Sequence, residues 1–440
     1  MVFTTIGSAT REFLIYNRNS KPLHISSISI ANHENSGFRI NVDGRKGTTF
    51  SDITILEKDS IYVLVEVTVN PTGENQPVLI EDKINFLTNG STQSVQLKAY
   101  GQDAHLIKDG YRFAQDTFLT AEKPYLIYDS IEIAAGTTVE IEAGATFYMH
   151  NKAKWLVEGR LIARGTMAYP ILFRGDRLDY LETDRLYDRI PGQWDGIYFS
   201  PESFENELDY VIIRNTVGGV MCEESTPDRL KLTITNSQLT NSDQSVLQAI
   251  NCFIEVGNTE LSNAVEDVVA LYGGKYNFTH CTLANYMNRK TRTSGMYALY
   301  LSNFYTTVNE EKVFPLVESV FENCIIDGSF SDELGIEKKE NSTCNYQFNY
   351  CTIKSPVEGS GFTHIQIGSP AYLNMGNRDN DYYFDFRLAG TDEAEQGYAI
   401  GNGDPAIAEK YPYDRYGVYR LTDGKAPDVG AYVYVPPTTD

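Results

Sequence analysis

The sequence is poor in helix signals. Across 440 residues no long stretch repeats its apolar side chains at helical spacing, which argues against a bundle or an α/β sheet. No apolar run reaches the roughly 18 residues needed to cross a bilayer as a helix. The six cysteines (Cys222, Cys252, Cys281, Cys324, Cys344 and Cys351) contain no CxxC pair, so zinc-ribbon and dithiol redox motifs are unsupported. The six histidines (His24, His33, His105, His150, His280 and His364) show neither HxH nor HExxH spacing, and no metal site or cofactor is expected. Basic residues are scarce as well: 37 Lys and Arg stand against 59 Asp and Glu, a formal charge of −22. Such a surface repels phosphate backbones, so nucleic acid is not an expected partner. A secretory leader is also missing. Met1 runs straight into strand-like Val2-Phe3-Thr4-Thr5-Ile6, and the expectation is a start at a domain edge from which an export signal has been removed.

What is present favours strands. The chain has 30 Tyr and 21 Phe, is 42% hydrophobic and 22% charged, and is too long for one ordinary core. The first hundred residues alternate over Glu12–Tyr16, Leu23–Ile30, Phe38–Val42, Ile61–Val69, Lys83–Leu87 and Ser94–Tyr100, with turn residues at Asp43-Gly44, Asn70-Pro71-Thr72-Gly73 and Asn89-Gly90. This spacing predicts an antiparallel β-sandwich over residues 1–104.

From about residue 125 the texture becomes one of short apolar pairs between glycine turns. Such rungs cannot bury themselves singly, but stacked they can. Aligning YVIIRNTVG, KLTITNSQL, FIEVGNTEL, KYNFTHCTL, SVFENCII and NYQFNYCTI puts Asn215, Asn236, Asn258, His280, Asn323 and Tyr350 in one column, spaced 21, 22, 22, 43 and 27 residues apart. The spacing of 43 fits one coil with long insertions, or two coils. Two residues earlier, Ile213, Ile234, Val256, Phe278, Phe321 and Phe348 would form an apolar ladder. Just after the anchor, Thr216, Ser237, Thr259, Cys281, Cys324 and Cys351 form a column of small residues. A second ladder runs through Val220-Met221, Val246-Leu247, Val269-Ala270-Leu271, Ala298-Leu299-Tyr300 and Ile365-Gln366-Ile367. The expected fold is all-β: the sandwich, then a parallel β-helix over residues 105–440.

Two resemblances bear on these segments. FLIYNRNSKPLHISSISI, GFRINV and VQLKAYGQDA resemble immunoglobulin-like domains of the ASH/hydin kind. Residues 125–370 resemble the right-handed parallel β-helix repeats of secreted bacterial proteins, and ILFRGDRLDY with YDRIPGQWDGIYF resembles a Bacteroidetes surface-protein group. DFRL, DPAIA, DRYGVYR and PDVGAY resemble a C-terminal cap of such helices, here from about residue 371, with Tyr432 followed by Val433 where the cap often has Glu. The resemblance implies an extracellular or cell-surface protein, with a lipid anchor on the mature form. It is nearly silent on activity.

Many β-helix proteins cleave polysaccharides, a reaction that demands particular catalytic groups. Hydrolysis of the polygalacturonase type needs paired carboxylates, and the Asn-Thr-Asp, Asp-Asp and Gly-His-Gly motifs of that family do not occur. Lyase chemistry needs a base with positive charge beside it, and no Lys/Arg cluster recurs at coil spacing. The main local candidate is FRGDRLDYLETDRLYDRIPGQWDG, with Asp176-Arg177, Asp184-Arg185 and Asp188-Arg189 among Tyr180, Tyr187 and Trp194. Tyr187, Asp188, Arg189, Trp194 and Asp195 are the candidate ligand-binding residues: rings stack on sugars while charged groups bond hydroxyls. The plainer reading is a loop clamped by Asp–Arg pairs with Trp194 as its plug. Asp379, Asp381 and Asp385 form an acidic cluster without an EF-hand pattern, read as solvated charge.

The leading expectation is therefore a non-catalytic surface or secreted protein, a rigid β-helix stalk for glycan binding or adhesion, its partner a glycan or cell-envelope polysaccharide. The alternatives are a lyase or glycoside hydrolase acting on an acidic polysaccharide, and a purely structural envelope module. A groove lined by clustered carboxylates would favour the enzyme.

Overall fold

The computed structural model describes residues 2–3, 10–34, 36–71, 73–182, 185–376, 383–390, 398–422 and 424–436. The chain divides into two units, residues 1–105 with 122–124, and residues 106–121 with 125–440.

The first unit is a two-sheet β-sandwich. One sheet orders Val2–Phe3, Ser91–Gln102, Val78–Thr88, Leu23–Ile30 and Thr49–Ile55; the other orders Arg11–Tyr16, Ser60–Val67, Phe38–Val42 and Arg45–Gly47. Alternating side chains from both, among them Ile25, Ile28, Phe38, Ile40, Val63 and Ile84, fill the core. Asp43-Gly44 and Asn89-Gly90 take positive φ at both residues, the tight hairpin turns their sequence implies. The strand Thr49–Ile55 was not legible, because Asp52 sits at φ 55° and breaks its two-residue alternation.

The second unit is a parallel β-helix. The coils contribute strands to three sheets, here called one, two and three in chain order, the last coils giving none to sheet two. Among the described residues sheet one has eleven strands, from His105–Ile107 to Gln366–Ile367, sheet two has nine, from Tyr111–Phe113 to Leu334–Glu337, and sheet three has ten, from Thr117–Leu119 to Phe362–Thr363. The apolar ladder lies in sheet three, where Ile234 pairs with Val256, Val256 with Phe278, Phe278 with Phe321 and Phe321 with Phe348. The rings of Phe278, Phe321, Phe348 and Phe362 stack at 4.9, 4.7 and 5.1 Å. The spacing of 43 is one coil with two insertions, residues 286–298 and 303–315, between Thr282–Asn285, Leu299–Ser302 and Leu316–Glu322.

One member of the alignment is corrected. Leu208, not Ile213, pairs with Ile234, while Ile213 pairs with Leu239 in sheet one. The bend column is therefore Tyr210, Asn236, Asn258, His280, Asn323, Tyr350 and His364, all with φ between 48° and 55°. Asn215 bends the chain elsewhere, between sheets one and two. Asn is the residue that most readily adopts this left-handed conformation outside glycine. The next column turns its side chains back onto the strand end: Ser237 Oγ, Thr259 Oγ1, Cys281 Sγ, Cys324 Sγ and Cys351 Sγ each donate to the carbonyl two residues earlier. All six cysteines are free thiols.

The C-terminal residues pack along the outer face of sheet one. Val429, Ala431 and Tyr432 join Ala284, Ile325, Tyr372, Phe386 and Leu388 in a separate apolar cluster. Tyr432 hydrogen-bonds Glu260, and Arg420 donates to Asn258 Oδ1 at 2.6 Å. That face is covered there, whereas sheet two carries a cleft on its outer face over the same coils.

Candidate active site

Among the described residues, the loop singled out by sequence is held by ion pairs and a buried ring. Tyr187–Arg189 form a single 3₁₀ turn. Asp188 Oδ1 lies 2.9 Å from Arg174 Nη2 and 3.0 Å from Arg214 Nε, with all three side chains mostly buried. Burial, opposed by Asp188 and reinforced by the two neighbouring arginines, pushes the Arg214 guanidinium down to about 10. The Arg189 guanidinium lies 4.8 Å from the Tyr383 ring centre. Trp194 is corrected as a ligand-binding residue. It is 0% exposed within the helix core, and its indole N–H donates to the Arg214 carbonyl at 2.8 Å, so neither ring face is open to a sugar. Asp195, the next residue on the strand, faces outward from sheet two and accepts from the Tyr198 hydroxyl at 2.9 Å. Asp184, Asp379 and Asp381 lie outside the described residues.

The chemistry gathers elsewhere, on the outer face of sheet two. A cleft of about 400 Å³ is lined by Glu266, Asp267, Glu337, Tyr272 and Tyr300, with Ser245, Gln248, Gly295, Met296, Phe304 and Thr306. Coil geometry explains the grouping. Tyr272 pairs with Ser302 and Ser302 with Glu337, so Tyr272 and Glu337 share one outward column two rungs apart. Gln248, Ala270 and Tyr300 form the neighbouring column. Glu266 and Asp267 occupy the turn that leads into Val269–Tyr272. The two insertions of the next coil supply the walls: Gly295 and Met296 come from one, Phe304 and Thr306 from the hairpin Phe304–Thr306 with Glu311–Val313.

The carboxyls differ in their surroundings. Asp267 is only 6% exposed, and its Oδ1 accepts the Tyr297 amide at 2.6 Å. Burial pushes the Asp267 carboxyl up to about 6; the Tyr297 amide pulls it down, Glu266 and Glu333 push it further up and Arg292 opposes them. Burial also raises Glu266, with Asp243 adding repulsion. Glu337 is exposed at the end of its strand, within hydrogen-bonding reach of the Tyr300 hydroxyl. Tyr272 and Tyr300 have ring centres 5.7 Å apart, and Tyr305 lies 4.7 Å from Tyr272. The cleft thus joins a carboxyl that holds its proton into mildly acidic pH, two further carboxyls and a tyrosine wall.

Sequence reasoning missed these residues although it found the second ladder. Once Leu247, Val269, Leu299 and Leu334 are in register, the positions two before them are Ser245, Asp267, Tyr297 and Asp332. That offset column was the available signal. A second concavity, about 370 Å³ on the sandwich, is lined by Arg39, Ile40, Asn41, Lys46, Gly47, Thr48, Leu64 and Glu66. It holds one carboxylate and so lacks the pairing that glycosidic cleavage uses.

No family model matches the chain, and no curated protein matches it in sequence. Among solved structures, it is similar to a catalytic domain of a GH87 α-1,3-glucanase in complex with tetrasaccharides, with 9% identity, a TM-score of 0.22, and coverage of 81% of this chain and 86% of that one. A catalytic domain of a GH87 α-1,3-glucanase in complex with nigerose matches at 10% identity and TM-score 0.19, covering 81% and 86%. At these values the likeness carries no argument about what this chain does. The expectation of a non-catalytic stalk is corrected on the chain's own geometry: sheet two carries the carboxylate-lined cleft that favours the enzyme alternative.

Proposed function

We propose that the protein is a glycoside hydrolase that cleaves a neutral polysaccharide in the sheet-two cleft. The observation that carries the reading is the meeting of Asp267, Glu266 and Glu337 with Tyr272 and Tyr300 in one open groove. Glycosidic hydrolysis uses one carboxyl as proton donor to the leaving oxygen and a second as base or nucleophile. Asp267 suits the acid, since a carboxyl held up to about 6 is mostly protonated at pH 5. Glu337, exposed and beside the Tyr300 hydroxyl, suits the carboxylate partner. Tyr272 and Tyr300 offer ring faces on which sugars stack.

The lining also separates hydrolysis from elimination. A lyase needs positive charge to hold the developing enolate, and no Lys or Arg lines the cleft among the described residues. Three carboxyls on a chain of net charge −22 repel a uronate polymer, which favours a neutral glycan over an acidic one. The reading includes an extracellular or surface location, where such polymers are met, with the sandwich as an immunoglobulin-like spacer; both rest on the sequence resemblances.

The test is reducing-end release from a panel of neutral and uronic polysaccharides. Release from a neutral polymer is expected, lowered at least about 100-fold in Asp267→Asn and Glu337→Gln. Undiminished release by both variants, or no release from any polymer, would overturn the proposal.

A further inference from the structure

We propose that the buried ion pair Arg292–Glu333 is a positioning device for the cleft, fixing residues 286–298 so that the Tyr297 amide is held on Asp267. The proposal rests on the reading of Asp267 as the acid. The two side chains are 3% and 0% exposed. Arg292 meets Glu333 at two points, Nη1 donating to Oε1 at 2.7 Å and Nη2 to Oε2 at 2.5 Å. The same guanidinium closes its own loop. Nη1 donates to the Asn285 carbonyl at 3.1 Å, where the chain leaves sheet one, and Nη2 to the Met296 carbonyl at 3.2 Å, just before it enters sheet two. The Phe330 ring centre lies 4.0 Å from it. Glu333 also accepts the amides of Ala298 at 3.0 Å and Phe330 at 2.7 Å.

Tyr297 therefore sits between two pinned residues, Met296 and Ala298. Its amide donates to Asp267 Oδ1 and its carbonyl accepts the Val268 N–H at 3.1 Å. Within the same loop, Lys290 Nζ reaches both oxygens of Asp243, at 2.5 and 2.6 Å, anchoring the loop to the coil two turns earlier. A buried ion pair is a weak source of stability compared with apolar packing, and placement is what such a pair adds. The charged and titratable groups around Asp267 are Glu266, Arg292, Glu333, Tyr272, Tyr297 and Tyr300.

The experiment is a carboxyl ¹³C titration of Asp267 in the full chain labelled at aspartate, assigned with Asp267→Asn, alongside the pH dependence of hydrolysis. Arg292→Lys keeps the charge but loses the fork, and Tyr297→Pro deletes the amide. In both, the Asp267 midpoint should rise by about one pH unit, because a donor to the charged form has gone. The alkaline limb of hydrolysis should rise with it. Tyr297→Ala, which keeps the amide, should titrate as the wild type does. An unchanged midpoint in folded Arg292→Lys would overturn the proposal. If that variant does not fold, Glu333→Asp, which keeps the charge but shortens the reach to Arg292, replaces it and is read in the same way. A raised midpoint in a protein that hydrolyses nothing, wild type included, would support the positioning and remove the catalytic reading, so the two failures are distinguishable.

Discussion

The side-chain amide of Asn258 donates to Oδ1 of Asn236, one coil earlier, at 2.6 Å. Asn258 also accepts from Arg420, which ties the C-terminal segment to the coil bends. Both asparagines sit at positive φ, where a side chain other than Asn or Gly is strained. Asn258→Ala is expected to cost about 3 kcal/mol, from strain and from leaving the buried Arg420 short of an acceptor. Asn258→Gly should cost about 1 kcal/mol less, since glycine adopts this backbone freely. Urea melts of the three proteins check the order; equal losses for Ala and Gly would contradict it.

Asp267 should destabilise the fold at neutral pH. Its folded-state carboxyl is raised to about 6 from 3.8, so its favourable contribution is complete below the unfolded value and is lost as pH rises through 6. Asp267→Asn keeps an acceptor for the Tyr297 amide without the charge. The variant should be more stable than wild type by about 2 kcal/mol at pH 7.5, with the gap closing towards pH 4. Thermal melts at both pH values, set beside hydrolysis, check this. A variant less stable at pH 7.5 would show that the carboxylate is not held under strain.

Trp194 is expected to act through packing alone. Its replacement by Ala empties a fully buried site and should cost about 3–5 kcal/mol. Hydrolysis per folded molecule should stay as it was. A loss of glycan affinity at an unchanged melting temperature would restore the loop as a binding element.

The legible parts of the fold are those where one physical rule repeats. Val256, Phe278, Phe321 and Phe348 could be aligned because each must stack on the copy below, and His280 took an Asn position because both tolerate the same bend. Asn215 was misassigned because a second bend of equal local character, between sheets one and two, mimics the first. The site was hidden for a different reason. Glu266, Asp267 and Glu337 are 71 residues apart at the extremes and belong to no motif; only coil registration brings them together. Trp194 drew attention as a rare residue beside charged pairs, yet its place on an inward-facing position decided its role. Exposure of a single side chain depends on strand phase, and the long insertion before Trp194 obscures that phase.

Both insertions that border the groove interrupt the same turn of the solenoid, while the strands on either side of them keep their pairing with the turns above and below. Lengthening, shortening or exchanging either segment would leave the stacked interior in place. Changes in which sugars fit could accumulate there with little penalty to folding, making this one turn the natural place to graft a new preference.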